Sequence, residues 1–425
     1  MSDKSGFDAV FVGGGVIGLA SAWRAAQRGA RVCVLERAEP PAGATNVAAG
    51  MLAPVGELTF GERELLELAL RSAASWPDFA AEVEAAAGGA SDSATSGSAP
   101  ESAIVATSDA AAPASSTGFT RCGALHVALD RDEAGDLRRK HDLQRELGLE
   151  AEWLTPTACR ELEPGLVPNF VGGVLAGSEG SVDPRALALA LAAALREAGG
   201  ELRTGTEVVD GLWDGERLAG VRTAAGDDVR AGAIVLCNGV WSGQTAWLPD
   251  EARPPVRPVK GETVELRPRE GEGAPASRIV ASERIYLVPR PDGRLIVGAT
   301  QEERGFDTVV TAGGVHELLR EAYRVLPDVA EMEFFGTIAG LRPGTPDNRP
   351  LVGRGAVEGL VLATGHFRNG ILLTPLTADA VAATLAGDPL PDVLAFADPL
   401  RSSLGRNRPS NDERTAADRA VEAPR

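Results

Sequence analysis

The most constraining feature of the sequence is the stretch from Phe7 to Arg37, FDAVFVGGGVIGLASAWRAAQRGARVCVLER. Phe7–Val12 is a short apolar run of the kind that forms a buried parallel strand. A helix is predicted over Val16–Gln27 and a second strand over Arg31–Leu35. The corner between the first strand and the helix carries three glycines in G-x-G-x-x-G spacing: Gly13, Gly15 and Gly18. The stretch therefore predicts a βαβ unit.

Each glycine of this corner has a separate physical task. The first makes the tight turn, the second lets the backbone approach a pyrophosphate, and the third lets the helix pack close to the sheet. The N-terminal end of the helix, with Val16 and Ile17, would face that pyrophosphate. Glu36 follows the second strand, where a carboxylate can bond both hydroxyls of an adenosine ribose and repel a 2′-phosphate. We predict a dinucleotide site, and the motif alone does not separate NAD from FAD.

Length and composition limit the number of domains and the kinds of partner that this chain can have. A chain of 425 residues exceeds one compact core and indicates two or three domains. Hydrophobic residues make up 44% of it, and the net charge of -18 argues against nonspecific binding to nucleic acid or an anionic membrane. The polar N-terminus and the lack of a long uncharged span predict a cytoplasmic protein without signal peptide or membrane helix. The four cysteines lack zinc or disulfide spacing, so we expect no metal site: Cys33, Cys122, Cys159 and Cys237.

The other apolar runs indicate two kinds of sheet. A doubly wound parallel sheet that begins at Phe7 is predicted to continue through three runs: Val171–Ser181, Glu201–Val208 and Ala233–Cys237. Alternation between Pro/Gly clusters predicts antiparallel strands in three others: Val259–Leu266, Arg278–Pro289 and Leu295–Ala299. Residues 88–118 form a low-complexity Ala/Ser/Thr/Gly segment that we predict to be a disordered insertion, and residues 401–425 a polar tail.

The sequence shows no Ser/His/Asp set, carboxylate dyad or metal cluster, and His366 is the one histidine of four that lies in a glycine-flanked loop. Removing a hydride from the carbon beside an amine onto a flavin needs no obligatory side-chain base if the amine binds uncharged. Such a site must fix its substrate, and Arg342 at a strand end and Tyr286 in a sheet could both bind a carboxylate. Arg368 precedes a helix whose amides could stabilise negative charge on a flavin. The alternative to these functional roles is a structural salt bridge for either arginine and aromatic packing for Tyr286.

Several segments together resemble the D-amino-acid-oxidase superfamily of FAD enzymes, and within it the ThiO-type glycine oxidases, which supply thiazole formation in thiamine biosynthesis. The segments are VFVGGGVIGLASAW, VCVLER, AAGML, IVLCNGVWSG, LRPGTPDNRPLVG and GHFRNGILLTPLTAD. The resemblance implies oxidation of glycine, sarcosine or small D-amino acids to the imine, with O2 reduced to H2O2. It implies noncovalent FAD, because Pro343–Gly353 has no cysteine where related sarcosine oxidases carry one.

The resemblance also implies a fold and a set of site residues. A glutathione-reductase-like, Rossmann-type α/β FAD domain would comprise residues 1–87, 160–250 and 336–400, and an antiparallel α+β substrate domain residues 119–159 and 251–335. Tyr286, Arg342 and Arg368 would be the catalytic residues. The cofactor would contact Gly13, Gly15, Val16, Ile17, Gly18, Glu36, Arg37, Ala48, Ala49, Gly50, Met51, Val208, Gly239, Trp241, Arg342, His366, Phe367, Arg368, Asn369, Gly370, Ile371 and Leu372.

Three alternatives stay open at this point. The chain could be a D-amino-acid or sarcosine dehydrogenase that passes electrons to a carrier, or a flavoprotein partner with little turnover of its own. A NAD-dependent dehydrogenase is the third. The sequence predicts a small amino acid and O2 as partners, with a homo-oligomer as a further expectation, but it does not rank the amines.

Overall fold

The computed structural model describes residues 6–88 and 116–404. Residues 89–115, most of the predicted insertion, and residues 405–425, most of the predicted tail, lie outside the described residues. Within those ranges the chain forms two eight-stranded sheets, a two-stranded sheet and eight α-helices. No helix in this part of the chain is both long and apolar enough to cross a membrane.

The first sheet is built around β1 (Phe7–Val12), as the sequence predicts. The strand pairs in parallel with β2 (Val32–Leu35) on one side and β11 (Asp228–Leu236) on the other. Its other members are β8 (Glu201–Arg203), β9 (Val208–Asp214), β10 (Arg217–Thr223), β17 (Leu351–Arg354) and β18 (Leu360–Thr364). A separate pair joins β3 (Met51–Leu52) to β7 (Gly180–Ser181).

Four helices cover this sheet and supply its core. They are α1 (Val16–Gln27), α3 (Arg63–Gly88), α6 (Pro184–Glu197) and α8 (Thr374–Ala386). Trp23, Trp76 and Phe79 are almost completely buried and meet edge to face, with ring centroids 5.8 and 5.5 Å apart. The predicted cap of α6 is present, because the Asp183 carboxylate accepts the amides of Arg185 and Ala186 at 2.9 and 3.3 Å.

The second sheet is mainly antiparallel. In spatial order its strands are β16 (Glu333–Gly344), β12 (Arg257–Arg267), β15 (Leu295–Gly298), β14 (Tyr286–Pro289), β13 (Ile279–Ala281), β4 (Ala124–Ala128), β6 (Gly172–Ala176) and β5 (Glu152–Leu154). The remaining helices are α2 (Gly43–Val47), α4 (Arg131–Glu146), α5 (Pro156–Leu162) and α7 (Ala312–Val325). The mixed α/β fold class predicted from the sequence is confirmed.

Two strands join a sheet that the sequence analysis did not predict for them. Gly172–Ala176, predicted to extend the parallel sheet, pairs antiparallel with β4, and β16, placed mostly with the FAD domain, pairs along its length with β12. A short glycine-rich run fits either sheet, so distant pairing partners decide its place. The predicted strand Glu201–Val208 is also divided, since β8 ends at Arg203 and Val208 begins β9. We retain the two-domain division as a proposal, with β6 and β16 moved to the substrate domain.

A substitution at Gly18 tests how closely α1 must approach β1. A Cβ at this position would lie 2.0 Å from the carbonyl oxygen of Gly13, and backbone cannot move aside as a flexible side chain can. We expect Gly18→Ala to lower the free energy of unfolding by about 2 kcal/mol or more, measured by urea denaturation. Gly313→Ala is the matched control, because a Cβ there meets nothing within 4 Å. Equal stabilities of the two variants would contradict the packing argument.

Candidate active site

One cavity of about 600 Å³ lies at the carboxyl ends of the parallel strands. Val12 at the end of β1, Leu35 at the end of β2 and Thr364 at the end of β18 contribute to its wall. The second sheet closes it with Tyr286 from β14 and Arg342 from β16. Open α/β sheets bind ligands at this edge, and here a second sheet adds side chains that the first does not carry.

The glycine corner forms one end of the cavity. Gly13 has φ +114°, and a Cβ there would lie 2.6 Å from the carbonyl oxygen of Cys237. A Cβ at Gly15 would meet only the Thr45 hydroxyl, at 3.2 Å, so the backbone faces open space. The amides of Gly15 and Ile17 have no acceptor among the described residues, whereas that of Val16 donates to Thr45 Oγ1 at 3.2 Å. The start of α1 therefore offers free N–H donors to an anion.

Glu36 lies directly after β2 in the position that a ribose would need. Its Oε2 accepts the Gly14 amide at 2.6 Å and its Oε1 accepts the Ala38 amide at 3.0 Å. These two bonds orient a buried carboxylate in the cavity wall. Beside it the Arg37 guanidinium lies 3.9 Å from the Trp241 ring centroid, so a cation–π contact closes this part of the cavity.

The backbone of the AAGML loop is fixed by a buried arginine. Arg290 donates to the carbonyl of Ala49 at 2.6 Å and to the carbonyl of Val182 at 2.9 Å. Burial lowers the pKa of Arg290 to about 10, which still leaves it cationic at neutral pH. Gly50 has φ +76°, and a Cβ there would lie 1.9 Å from the Val182 carbonyl oxygen. The loop thus presents its backbone and small side chains to the cavity.

Arg342 and Tyr286 come together on the second sheet. Arg342 Nη1 donates to the carbonyls of Thr300 and Lys260 at 3.1 and 3.3 Å. Two glycines make room for the pair, since a Cβ at Gly261 would lie 2.3 Å from Arg342 Nη1 and one at Gly298 would lie 2.5 Å from the Tyr286 hydroxyl. Burial raises the pKa of Tyr286 while Arg342 opposes the rise, so the phenol remains a protonated donor.

The glycine-flanked loop before α8 forms another wall of the cavity. Burial lowers the pKa of His366 to about 3, and its Nε2 lies 3.0 Å from Thr377 Oγ1, so the imidazole is a neutral structural group. Arg368 donates to Thr59 Oγ1 at 3.2 Å and lies 3.9 Å from a Glu62 carboxylate oxygen. The amides of three residues in this loop donate to no acceptor within the described part of the chain: Gly370, Ile371 and Leu372. These donors suit negative charge on a bound ring.

The structure brings the sequence-predicted residues together. Every predicted cofactor or catalytic residue except Gly18 lines this cavity, and Gly18 lies beneath it against Gly13. Sequence reasoning missed several lining residues, among them Thr45, Glu57, Gly261 and Trp247. Thr45 and Glu57 flank the AAGML motif, so that motif was a usable signal for them; Gly261 and Trp247 had none.

The residues present fit an FAD molecule. Free amides at the start of α1 suit a pyrophosphate, the oriented Glu36 carboxylate suits a ribose, and the cavity-lining backbone of the AAGML loop suits a flat ring. Among the described residues no group of three or more His, Cys, Asp or Glu could bind a metal ion.

Comparisons with known proteins agree with this geometry. A family model described as FAD dependent oxidoreductase matches residues 8–384. Glycine oxidase of Geobacillus kaustophilus is 34% identical over 382 residues, which cover 88% of this chain and 92% of that protein. Its crystal structure has a TM-score of 0.80 at 33% identity and covers 93% of this chain and 98% of that one. The bifunctional protein ThiO/ThiG of Trichormus variabilis is 34% identical over 377 residues, 88% of this chain but 52% of that protein, so the chain spans about half its length.

Buried neutral His366 gives stability a defined pH dependence. Its pKa falls from 6.5 to about 3 on folding, so between these values the unfolded chain binds more protons and acid favours unfolding. Between pH 7 and pH 5 we expect the free energy of unfolding of the wild type to fall by about 2 kcal/mol more than that of His366→Gln. Urea denaturation at both pH values measures the difference. An identical loss in the two proteins would show that His366 is not neutral in the folded state.

Proposed function

The chain belongs to the FAD-dependent oxidoreductase family, and on this premise we propose that it oxidises glycine or a similar small amine to the imine. Sarcosine and small D-amino acids are the other candidates. Hydrolysis of the imine then gives the 2-oxo acid, and O2 accepts the electrons to give H2O2. Similarity to glycine oxidases over almost their whole length supports this reaction. Similarity to ThiO/ThiG proteins supports a role in thiamine thiazole biosynthesis.

One observation carries the proposal: the Arg342 guanidinium has no ion-pair partner among the described residues. Its Nη1 is anchored by two backbone carbonyls, which carry no net charge and leave the cation uncompensated. Arg342 lines the cavity together with Tyr286, and its positive charge opposes the rise in the pKa of the Tyr286 phenol. A partly buried cation beside a phenol donor suits the carboxylate of an amino acid.

The chain's own residues would position the substrate and leave proton transfer to water. Bound FAD would accept a hydride from the carbon that carries the amine. Arg342 and Tyr286 would fix the carboxylate, and thereby orient that carbon in the same cavity as the AAGML loop. His366 is unsuited to act as a base, because its Nε2 is bonded to Thr377 and its pKa is near 3, and we propose that the amine binds uncharged. The free amides before α8 would stabilise negative charge on the ring.

Replacing Arg342 tests the carboxylate role. We expect Arg342→Met to raise KM for glycine by about 100-fold, because the carboxylate of the bound glycine loses its charged partner. Flavin content, read from the visible spectrum, should stay at the wild-type value. Arg349→Met is the control, since Arg349 pairs with Glu64 at 3.2 Å and does not line the cavity. An unchanged KM in Arg342→Met with flavin bound would remove the carboxylate role.

Flavin attachment is a separate expectation. No cysteine occurs in Pro343–Gly353, and burial raises the pKa values of Cys237 and Cys33 and so keeps these thiols protonated. We expect acid precipitation to release all the flavin into the supernatant. Yellow colour that remains in the washed precipitate would indicate a covalent bond.

An anaerobic titration of the purified protein with glycine, sarcosine and D-alanine tests the reaction class. We expect glycine or sarcosine to bleach the flavin band, and the substrate that bleaches it fastest would rank first. Admitting air should then return the band with one H2O2 per turnover. Bleaching without peroxide would favour a dehydrogenase, and no bleaching by any small amino acid would exclude the proposed substrates.

A further inference from the structure

The loop between β3 and α3 contains a buried segment, Ala53–Gly56, that continues into Glu57 in the cavity wall. Glu57 lines the same cavity as Arg342 and Tyr286, and its charge acts to raise the pKa of Tyr286. A loop with a buried backbone must find partners for its N–H and C=O groups. How Val55 and Gly56 meet this requirement therefore decides where Glu57 lies.

Three side chains from outside the loop supply those partners. Glu179 Oε1 accepts the amides of Val55 and Gly56 at 2.7 and 2.6 Å. Gln144 Nε2 donates to the Val55 carbonyl at 2.9 Å, and Lys140 Nζ donates to the Gly56 carbonyl. Both amides and both carbonyls of this dipeptide are thus bonded to side chains. We name Lys140, Gln144 and Glu179 the clasp.

Gly56 fits the clasp because it has no side chain. A Cβ there would lie 2.0 Å from His126 Nε2 and 2.9 Å from Glu179 Oε2, so the backbone lies directly against both groups. Burial lowers the pKa of His126 to about 3, and the ring is neutral at working pH. Burial also raises the pKa of Glu179 to about 8, so at neutral pH this carboxyl is mostly protonated and glutamine resembles it in shape and charge.

We propose that the clasp residues are positioning residues for amino-acid binding: they fix the backbone of Val55 and Gly56, and thereby the cavity wall that continues into Glu57 beside Arg342 and Tyr286. The inference rests on the proposed function for its effect on substrate, but not for its effect on the loop. None of the three clasp residues lines the cavity. They act through the loop backbone rather than by touching the ligand.

The first test compares Glu179→Ala with Glu179→Gln in the flavin-loaded protein. Alanine removes the acceptor for two buried amides, whereas glutamine retains an oxygen in its place. For Glu179→Ala we expect KM for glycine to rise about tenfold or more, with kcat within about threefold of wild type and the flavin content unchanged. For Glu179→Gln we expect both constants within about twofold of wild type. A KM unchanged in Glu179→Ala would overturn the proposal.

Glu163→Ala is the matched control. Glu163 is a buried carboxylate that accepts the Ser277 amide at 3.0 Å and the Ser277 hydroxyl at 2.6 Å, but it does not line the cavity. We expect its loss to lower stability and to leave KM unchanged. A rise in KM equal to that of Glu179→Ala would mean that general destabilisation, rather than the clasp, controls substrate binding.

Amide hydrogen exchange separates this inference from the proposed function. We expect the amides of Val55 and Gly56 to exchange about tenfold faster or more in Glu179→Ala than in wild type, and at the wild-type rate in Glu163→Ala. If neither glycine nor sarcosine nor a small D-amino acid reduces the wild-type flavin, the proposed function is wrong, and amide exchange still decides whether the clasp fixes the loop. Should Glu179→Ala not fold, Lys140→Met and Gln144→Leu each remove a side chain that donates to a carbonyl of the loop. If amide exchange and KM stay at their wild-type values in both variants, the proposal is overturned.

Discussion

The close contact between Gly13, Gly18 and Cys237 holds the first strand, the first helix and the end of β11 together. The positive φ of Gly13 turns the chain after β1, and the missing side chain of Gly18 lets α1 lie against the Gly13 carbonyl. Cys237 closes the contact from the end of β11, where its thiol donates to the carbonyls of Val12 and Gly13 at 3.2 Å. Because these segments approach so closely, the amides at the start of α1 and the Glu36 carboxylate face one cavity.

Backbone carbonyls, rather than carboxylates, orient the main cations of this site. Arg342 donates to the carbonyls of Thr300 and Lys260, and Arg290 donates to those of Ala49 and Val182. A carbonyl fixes direction but does not neutralise charge, so the positive charge of Arg342 stays available to an anionic ligand in the cavity that it lines. Arg368 differs, since its partners are the Thr59 hydroxyl and the Glu62 carboxylate. The cavity therefore contains one arginine without an ion-pair partner among the described residues, Arg342, and one that a carboxylate partly neutralises, Arg368.

Much of the first sheet could be predicted because its signals are local. The bounds of β1 and α1 agree with the expected Phe7–Val12 and Val16–Gln27, and the Asp183 cap of α6 follows from a dipeptide. Positions such as Glu36 and Gly50 could be assigned to the cavity because short motifs carry them. Gly261 and Gly298 could not, since their role is to leave room for Arg342 and Tyr286 on other strands.

The βαβ unit could be inferred from the sequence alone, together with its glycine corner and the acidic end of β2, because each depends on residues that are close along the chain. The tertiary structure was needed to place β6 and β16, because the strands that pair with them lie far away in sequence. It likewise decided that Lys140, Gln144 and Glu179 bond the backbone of Val55 and Gly56. No local pattern marks such contacts, since side chains that satisfy a buried loop can come from any element packed against it.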